Sequence, residues 1–380
     1  MPARDTGERH RASTPLELLF DLCFVVAVAQ CASHLHHAVA DADAGSALVS
    51  YALVFFAIWW AWMNFTWFAS AYDNDDVVYR LLTLVQITGV LVLAAGVPRA
   101  FDHRDFDVVF AGYVLMRIGL VSLWLRAARH DPGRRTALHR FAVGESTCLL
   151  GWGALALGGW PVWGFIVMGT AELAVPIWAE RASATPWHPE HIAERYGLFT
   201  LIVLGESILS ASVAFQVGID EHSGSATLYL TAVGALLTVF AMWWIYFAKP
   251  AGDSLVSSRV GFLWGYGHFF VFASAAAVGA GIAVVVDSVT HHADISSTGA
   301  AAAFTIPVAM FVLTVALIET LLHPTSRTRF PAFVVAAALV LSSTFTGQAV
   351  LVTGLVLAAL VTAMVVITAR SHQTLTNRGE

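Results

Sequence analysis

The sequence predicts an all-α polytopic transmembrane helical bundle of about 12 spans. Three observations predict it. Of 380 residues, 58% are hydrophobic and only 12% are charged, with a mean hydropathy of +0.71. Apolar runs of roughly 20 residues, long enough to cross a hydrocarbon core of about 30 Å, recur from end to end. Those runs are too long and unbroken for barrel strands, and lipid-exposed backbone otherwise admits only helices.

Taken in order, the spans are expected at 16–38, 46–70, 79–98, 106–126, 138–158, 160–180, 195–218, 226–248, 259–286, 301–322, 331–346 and 348–369. The run 331–346 is short, and Gly347-Gln348 is the only break before the last one. The first run carries Asp21 and follows a polar segment, so it reads as an insertion signal and not as a cleaved leader. The expected organisation is an N-terminal segment 1–15, a membrane domain 16–369 and a polar tail 370–380.

The basic residues set the expected orientation. With both termini cytoplasmic, Arg4, Arg9, Arg11, Arg80, Arg126, Arg129, Arg134, Arg135, Arg140, Arg181, Arg195, Lys249, Arg259, Arg327, Arg329, Arg370 and Arg378 fall inside. Only Arg99 and Arg104 fall outside, and Arg117 lies within a span. This is the positive-inside pattern. Outer loops such as Asp41–Gly45 and Asp220–Gly224 are short and acidic or neutral. The preference for Arg, with Lys249 the one Lys, points to a GC-rich bacterial genome and hence to the bacterial inner membrane.

An internal repeat is suggested by VFFAIWWAW (54–62) and TVFAMWWIY (238–246), each followed by an acidic loop and an Arg, Arg80 or Arg259. An even number of spans separates them, so halves 16–180 and 191–369 would be parallel. Cys23, Cys31 and Cys148 lie inside apolar runs without CxxC spacing and read as buried thiols.

The stretch Arg195–Ser212 carries Glu206 about 16 Å from its start, near the middle of a bilayer. An intramembrane charge is costly and marks a functional position by default. Arg117, Glu145, Glu172 and His268 also fall inside spans, with Arg117 and His268 nearest the middle. A network centred on Arg117 and at least one Glu is therefore expected. A structural ion pair that fixes helix packing is the competing reading. His268 reads equally as a titrating group or a hydrogen-bonded core histidine.

Thr14-Pro15-Leu16-Glu17 fits a capping box that opens the first helix. Asp21, one turn deeper on the same face, either lines a site or pairs with a base such as Arg195 or Arg80. Glu194 suits the start of its helix, whereas Arg195 opposes the dipole and calls for a partner, with Asp21 and Glu17 the candidates. Asp73, Asp75, Asp76 and Arg80 make an acidic turn that either caps the third helix or holds a hard cation, the capping reading being favoured. Trp59, Trp60, Trp62, Trp67, Trp243 and Trp244 suggest an aromatic wall, either packing or a lining for an organic or cationic ligand. Asn64, Gln86 and Gln348 are candidates for hydrogen bonds between helices.

The histidines at 34, 36, 37, 188, 191, 291 and 292 lack zinc-ligand spacing, so no metal is expected. No Walker loop, dinucleotide fingerprint, serine elbow or basic nucleic-acid patch is present, so neither cofactor nor nucleic acid is expected.

Three stretches together resemble the bacterial low temperature requirement A (LtrA) family: PLELLFDLCFVVAVAQ (15–30), YDNDD (72–76) with Arg80, and HIAERYGLFTLIVLGESIL (191–209), with WWIYF (243–247) and YGHF (266–269) behind it. The resemblance covers nearly the whole chain. One departure is HFFV at 268–271, where a more aliphatic or proline-containing run is expected. The resemblance implies a multi-pass bacterial membrane protein and supplies neither substrate nor reaction.

Three functions fit the sequence. The first is a secondary transporter with a midplane charged site, its proton carried by Glu206. The second is an intramembrane enzyme using buried carboxylates as general acids on a lipid or isoprenoid. The third is a non-catalytic membrane sensor or stress-related partner. The expected partners are the lipid bilayer and a small-molecule solute or lipid ligand; whether the chain catalyses a reaction, and its oligomeric state, are left open by the sequence.

Overall fold

The computed structural model describes residues 3–4, 11–220 and 226–376. Arg9, Arg378 and loop residues 221–224 lie outside the described residues. The fold is all-helical, with twelve helices among the described residues: α1 Pro15–Ala40, α2 Ala44–Tyr72, α3 Val77–His103, α4 Asp107–His130, α5 Arg135–Leu157, α6 Val162–Glu180, α7 Pro189–Asp220, α8 Ala226–Phe247, α9 Ser258–Val289, α10 Ser297–Leu322, α11 Phe330–Ser343 and α12 Ala349–Thr376. Ten of them are long and apolar enough to cross a bilayer. The exceptions are α5, polar in its first half through Arg135, Arg140 and Glu145, and α11, whose 14 residues span about 21 Å. The chain is a multi-pass membrane protein.

Local chemistry sets the helix starts. Thr14 and Glu17 close the expected capping box: the Thr14 N–H donates to Glu17 Oε2 at 2.8 Å, and the Glu17 N–H donates to Thr14 Oγ1 at 3.3 Å. Asp76 caps α3 by accepting from the Tyr79 N–H at 3.0 Å.

The chain forms two compact units, residues 1–34, 45–199 and 251–262 in one, and 35–44, 200–250 and 263–380 in the other. In the first unit α2 is the hub. Trp59, Trp60, Trp62, Phe55 and Phe65 are fully buried. Phe65 meets Phe20 of α1 with ring centroids 4.0 Å apart, Phe68 meets Trp124 of α4 at 4.6 Å, and Trp62 stacks on Phe199 of α7 at 4.4 Å. Helices α3 and α4 cross at Gly89 and Gly112, where a Cβ on either would come within 2.6 Å of the other's carbonyl oxygen. Only glycine permits that approach, the usual route to tight helix contact in lipid. Trp243 and Trp244 are 44% exposed on α8, so the aromatic wall exists on α2 but not there.

In the second unit α8 and α12 cross in the same way. A Cβ on Gly234 would come within 2.5 Å of Leu351, and one on Gly354 within 2.6 Å of the Gly234 carbonyl oxygen. The Ala- and Gly-rich stretch of α9 from Val271 to Ile282 is buried. Lys249 pairs with Glu319 at 2.6 Å.

Candidate functional site

Residues two apart on a helix point about 200° apart. Trp60 and Trp62 therefore leave opposite sides of α2, and each indole N–H ends on a buried carboxylate: Trp60 on Glu172 Oε2 at 2.9 Å, Trp62 on Asp21 Oδ1 at 2.7 Å. Two charged clusters in the first unit follow.

The first joins α1 and α7. Arg195 forks onto Asp21, with Nε to Oδ2 at 2.8 Å and Nη2 to Oδ1 at 2.5 Å. Its Nη1 lies 3.3 Å from Glu17 Oε1. Arg11 Nη2 is 3.6 Å from that same oxygen, and His191 Nε2 is 3.2 Å from it. Arg11 also donates to the carbonyl oxygens of Ser70 and Ala69 at the end of α2. Glu17, His191 and Arg195 are wholly buried and Asp21 nearly so. Two guanidiniums thus face two carboxylates, and the cluster balances without His191. Of the sequence's candidates for Arg195, both acids are engaged. Glu194 instead accepts from the Ser13 N–H at 3.2 Å.

The acidic turn lies beside this cluster. Asp75 pairs with Arg80 at 2.6 Å on the surface, and that hydrogen bond draws its carboxyl below the usual range. Asp76 pairs with Arg126 at 2.6 Å, which lowers its carboxyl to about 2. Asp73 differs. It is buried, and desolvation together with the nearby Glu17 charge raises its carboxyl to about 6. Burial likewise lowers the Arg11 guanidinium despite Glu17. No group of three metal-ligating side chains stands together among the described residues.

The second cluster joins α4, α5 and α6. Arg117 Nη2 meets Glu172 Oε2 at 2.8 Å, and Arg117 Nη1 meets Glu145 Oε2 at 3.2 Å. Glu172 also accepts from Trp152 at 3.1 Å, and Glu145 from Trp124 at 3.0 Å. Arg117 lies over the Tyr113 ring, 5.5 Å from its centroid. All three ions are at most 3% exposed. One guanidinium faces two carboxylates here, so the formal charge is one negative in excess.

A polar row on α3 starts beside the first cluster. Tyr79, Thr83 and Gln86 share a face, are buried, and leave Tyr79 Oη, Thr83 Oγ1 and Gln86 Oε1 without a hydrogen-bond partner among the described residues. Asp73 Oδ2 is in the same state at its lower end. Gln86 Cγ packs against α4 at Gly119.

Residues 12–369 match the family model of the bacterial low temperature requirement A protein (LtrA). The chain belongs to the LtrA family. It is also 30% identical over 286 residues to an uncharacterized protein of Rhizobium meliloti (strain 1021), covering 70% of this chain and 67% of that one.

In this LtrA family chain Glu206 joins neither cluster. It lies half-buried in the second unit, its Cγ against Gly279 of α9, with no hydrogen bond or ion pair among the described residues. His268, in the same unit, is held by hydrogen bonds. Its Nδ1 reaches the Trp264 carbonyl at 2.7 Å, which makes Nδ1 the donor, so Nε2 accepts from the Tyr246 hydroxyl at 3.0 Å. Sequence reasoning missed Arg11, the Glu17 contact of His191 and the role of the tryptophans as donors. The i, i+4 spacing of His191 and Arg195 was the available signal for the second.

Proposed function

We propose that this LtrA family chain is a proton-coupled permease of the bacterial inner membrane, with both termini cytoplasmic. The observation that carries the reading is the excess carboxylate of the Arg117–Glu145–Glu172 cluster. An uncompensated buried charge costs several kcal/mol, so a site with one carboxylate too many is suited to take up a proton or a cationic solute. The balanced Arg195 cluster needs no such uptake and reads as a lock between α1, α2 and α7. The polar row Tyr79–Thr83–Gln86, which continues from Asp73 along α3, supplies buried hydrogen-bonding groups that lead away from the acidic turn, as a proton route requires. Glu206, a carboxylate in an apolar helix with no counter-ion among the described residues, is a second uptake position in the other unit. The repeated halves, 16–180 and 191–369, belong to the same proposal, since secondary transporters are commonly built from internal repeats.

The test is proton flux into liposomes holding the purified chain, followed with an internal pH dye under an imposed pH gradient. The wild type should exceed empty liposomes, and Glu145→Gln should lose at least about tenfold of that excess, the scale on which a proton-transfer group acts. Equal flux from wild type, variant and empty liposomes contradicts the reading.

A further inference from the structure

Against the Arg117 cluster lies a small pocket between α2, α4, α5 and α6. Phe56 of α2, Phe106 and Phe110 at the start of α4, Trp152 of α5, Trp160 of the α5–α6 turn and Phe165 of α6 line it. About 330 Å³ of empty space lies within and in front of it, much of it open to the outside, and its wall is almost wholly apolar. Three features give this aromatic cage a preference beyond hydrophobicity.

First, both indoles are backed by carboxylates. Trp152 Nε1 donates to Glu172 at 3.1 Å, and Trp160 Nε1 donates to Asp107 at 2.9 Å. A carboxylate on the N–H polarises the ring and makes its face more attractive to a cation. Second, the cluster behind Trp152 carries the excess negative charge derived above. Arg117, which lies over the lining residue Tyr113, is already met by both Glu145 and Glu172. Third, Trp160 is held at φ +58, directly after Gly159 at φ +75. A bulky aromatic residue in left-handed backbone is strained, and such strain is retained where the side chain has a task. Here the turn swings the indole onto Phe106 and Phe110, with centroids 5.7 and 5.9 Å away.

We propose that this pocket binds a small methylated ammonium group. A wall without acceptors would leave the N–H groups of a primary ammonium unsatisfied, at a cost of a few kcal/mol for each. A methylated nitrogen has no such demand and spreads its charge over methyl groups that fit between aromatic faces. As a binding site the cage stands by itself; as the solute site of the permease it rests on the reading above.

The experiment is titration of the detergent-solubilised full chain with tetramethylammonium chloride, read by intrinsic tryptophan fluorescence and by calorimetry. Sodium chloride serves as the ionic control and tert-butanol as a neutral ligand of similar shape. Saturable binding of tetramethylammonium is expected, with tert-butanol about tenfold weaker or more. Trp160→Leu should weaken binding about tenfold, while Trp160→Phe, which loses the N–H and part of the ring, and Asp107→Asn, which keeps an acceptor for the Trp160 N–H but removes the charge behind it, should weaken it about two- to fivefold. Thermal unfolding of each variant separates lost binding from lost fold, and a Trp160→Leu that does not fold leaves Asp107→Asn to decide. Absence of saturable binding, equal binding of tert-butanol, or unchanged affinity in the variants that fold overturns the proposal. Lost cation binding with intact proton flux sinks this inference alone; intact binding without flux sinks the permease alone.

Discussion

Asp73 shows how one side chain ties burial to pH. Its carboxyl, raised to about 6 by desolvation and by Glu17, takes a proton more readily in the folded chain than in the unfolded one. The stability it contributes is therefore fully present below about pH 4 and is lost as pH rises through about 6. Asp73→Asn keeps an oxygen for the Asp75 N–H and removes the charge. The variant should be more stable than wild type at pH 8, by on the order of 2 kcal/mol, and equal to it near pH 4, as read by thermal unfolding at the two pH values. The two arginine clusters make a second contrast at this scale. Arg195→Leu strands Asp21 and Glu17 and should cost about 3–5 kcal/mol in denaturant unfolding. Glu145→Gln leaves an acceptor for Trp124 and a balanced Arg117–Glu172 pair, so its unfolding midpoint should match or exceed that of wild type.

At the scale of elements, α2 organises the first unit because its tryptophans serve both faces. Trp62→Phe keeps the ring on Phe199 but removes the donor to buried Asp21. It should cost about 1–3 kcal/mol, measurable in the same unfolding assay. Gly112→Leu should do more damage. Its side chain meets α3 backbone where a Cβ alone already comes within 2.6 Å, so the α3–α4 crossing must open and folded yield in detergent should fall sharply. Much of this level was legible in the sequence. The helices, the Thr14–Glu17 capping box, the Asp76 cap and the need of Arg195 for Asp21 or Glu17 all follow from local pattern. What a helix sequence gives is depth and face, not which helix stands opposite. That is why Arg117 could be assigned a Glu without saying that it takes two. It is also why the sequence could not say that Glu206, the obvious intramembrane acid, makes no ion pair among the described residues. The same lack hid the indole donors, since a tryptophan reads as bulk until its neighbour is known. The expectation of about twelve spans is met by twelve helices, ten of them long and apolar enough to cross a bilayer; α5 falls short through its charges, and α11 through a helix of 14 residues.

For the whole molecule, charge balance separates structure from function. A balanced buried cluster fixes helices; an unbalanced one in a low-dielectric interior takes up positive charge from outside itself. The LtrA family chain holds one of each in a single unit, joined through α2, with an aromatic cage against the unbalanced one. The most direct measurement of that imbalance is pH-difference infrared spectroscopy of the chain in bilayers, comparing wild type with Glu145→Gln and Glu172→Gln. The wild type should show the carbonyl stretch of a buried carboxyl gaining and losing a proton, and at least one of the two substitutions should remove it. A wild-type carboxyl signal that both substitutions leave untouched, or none at all, would contradict the claim that this cluster exchanges protons.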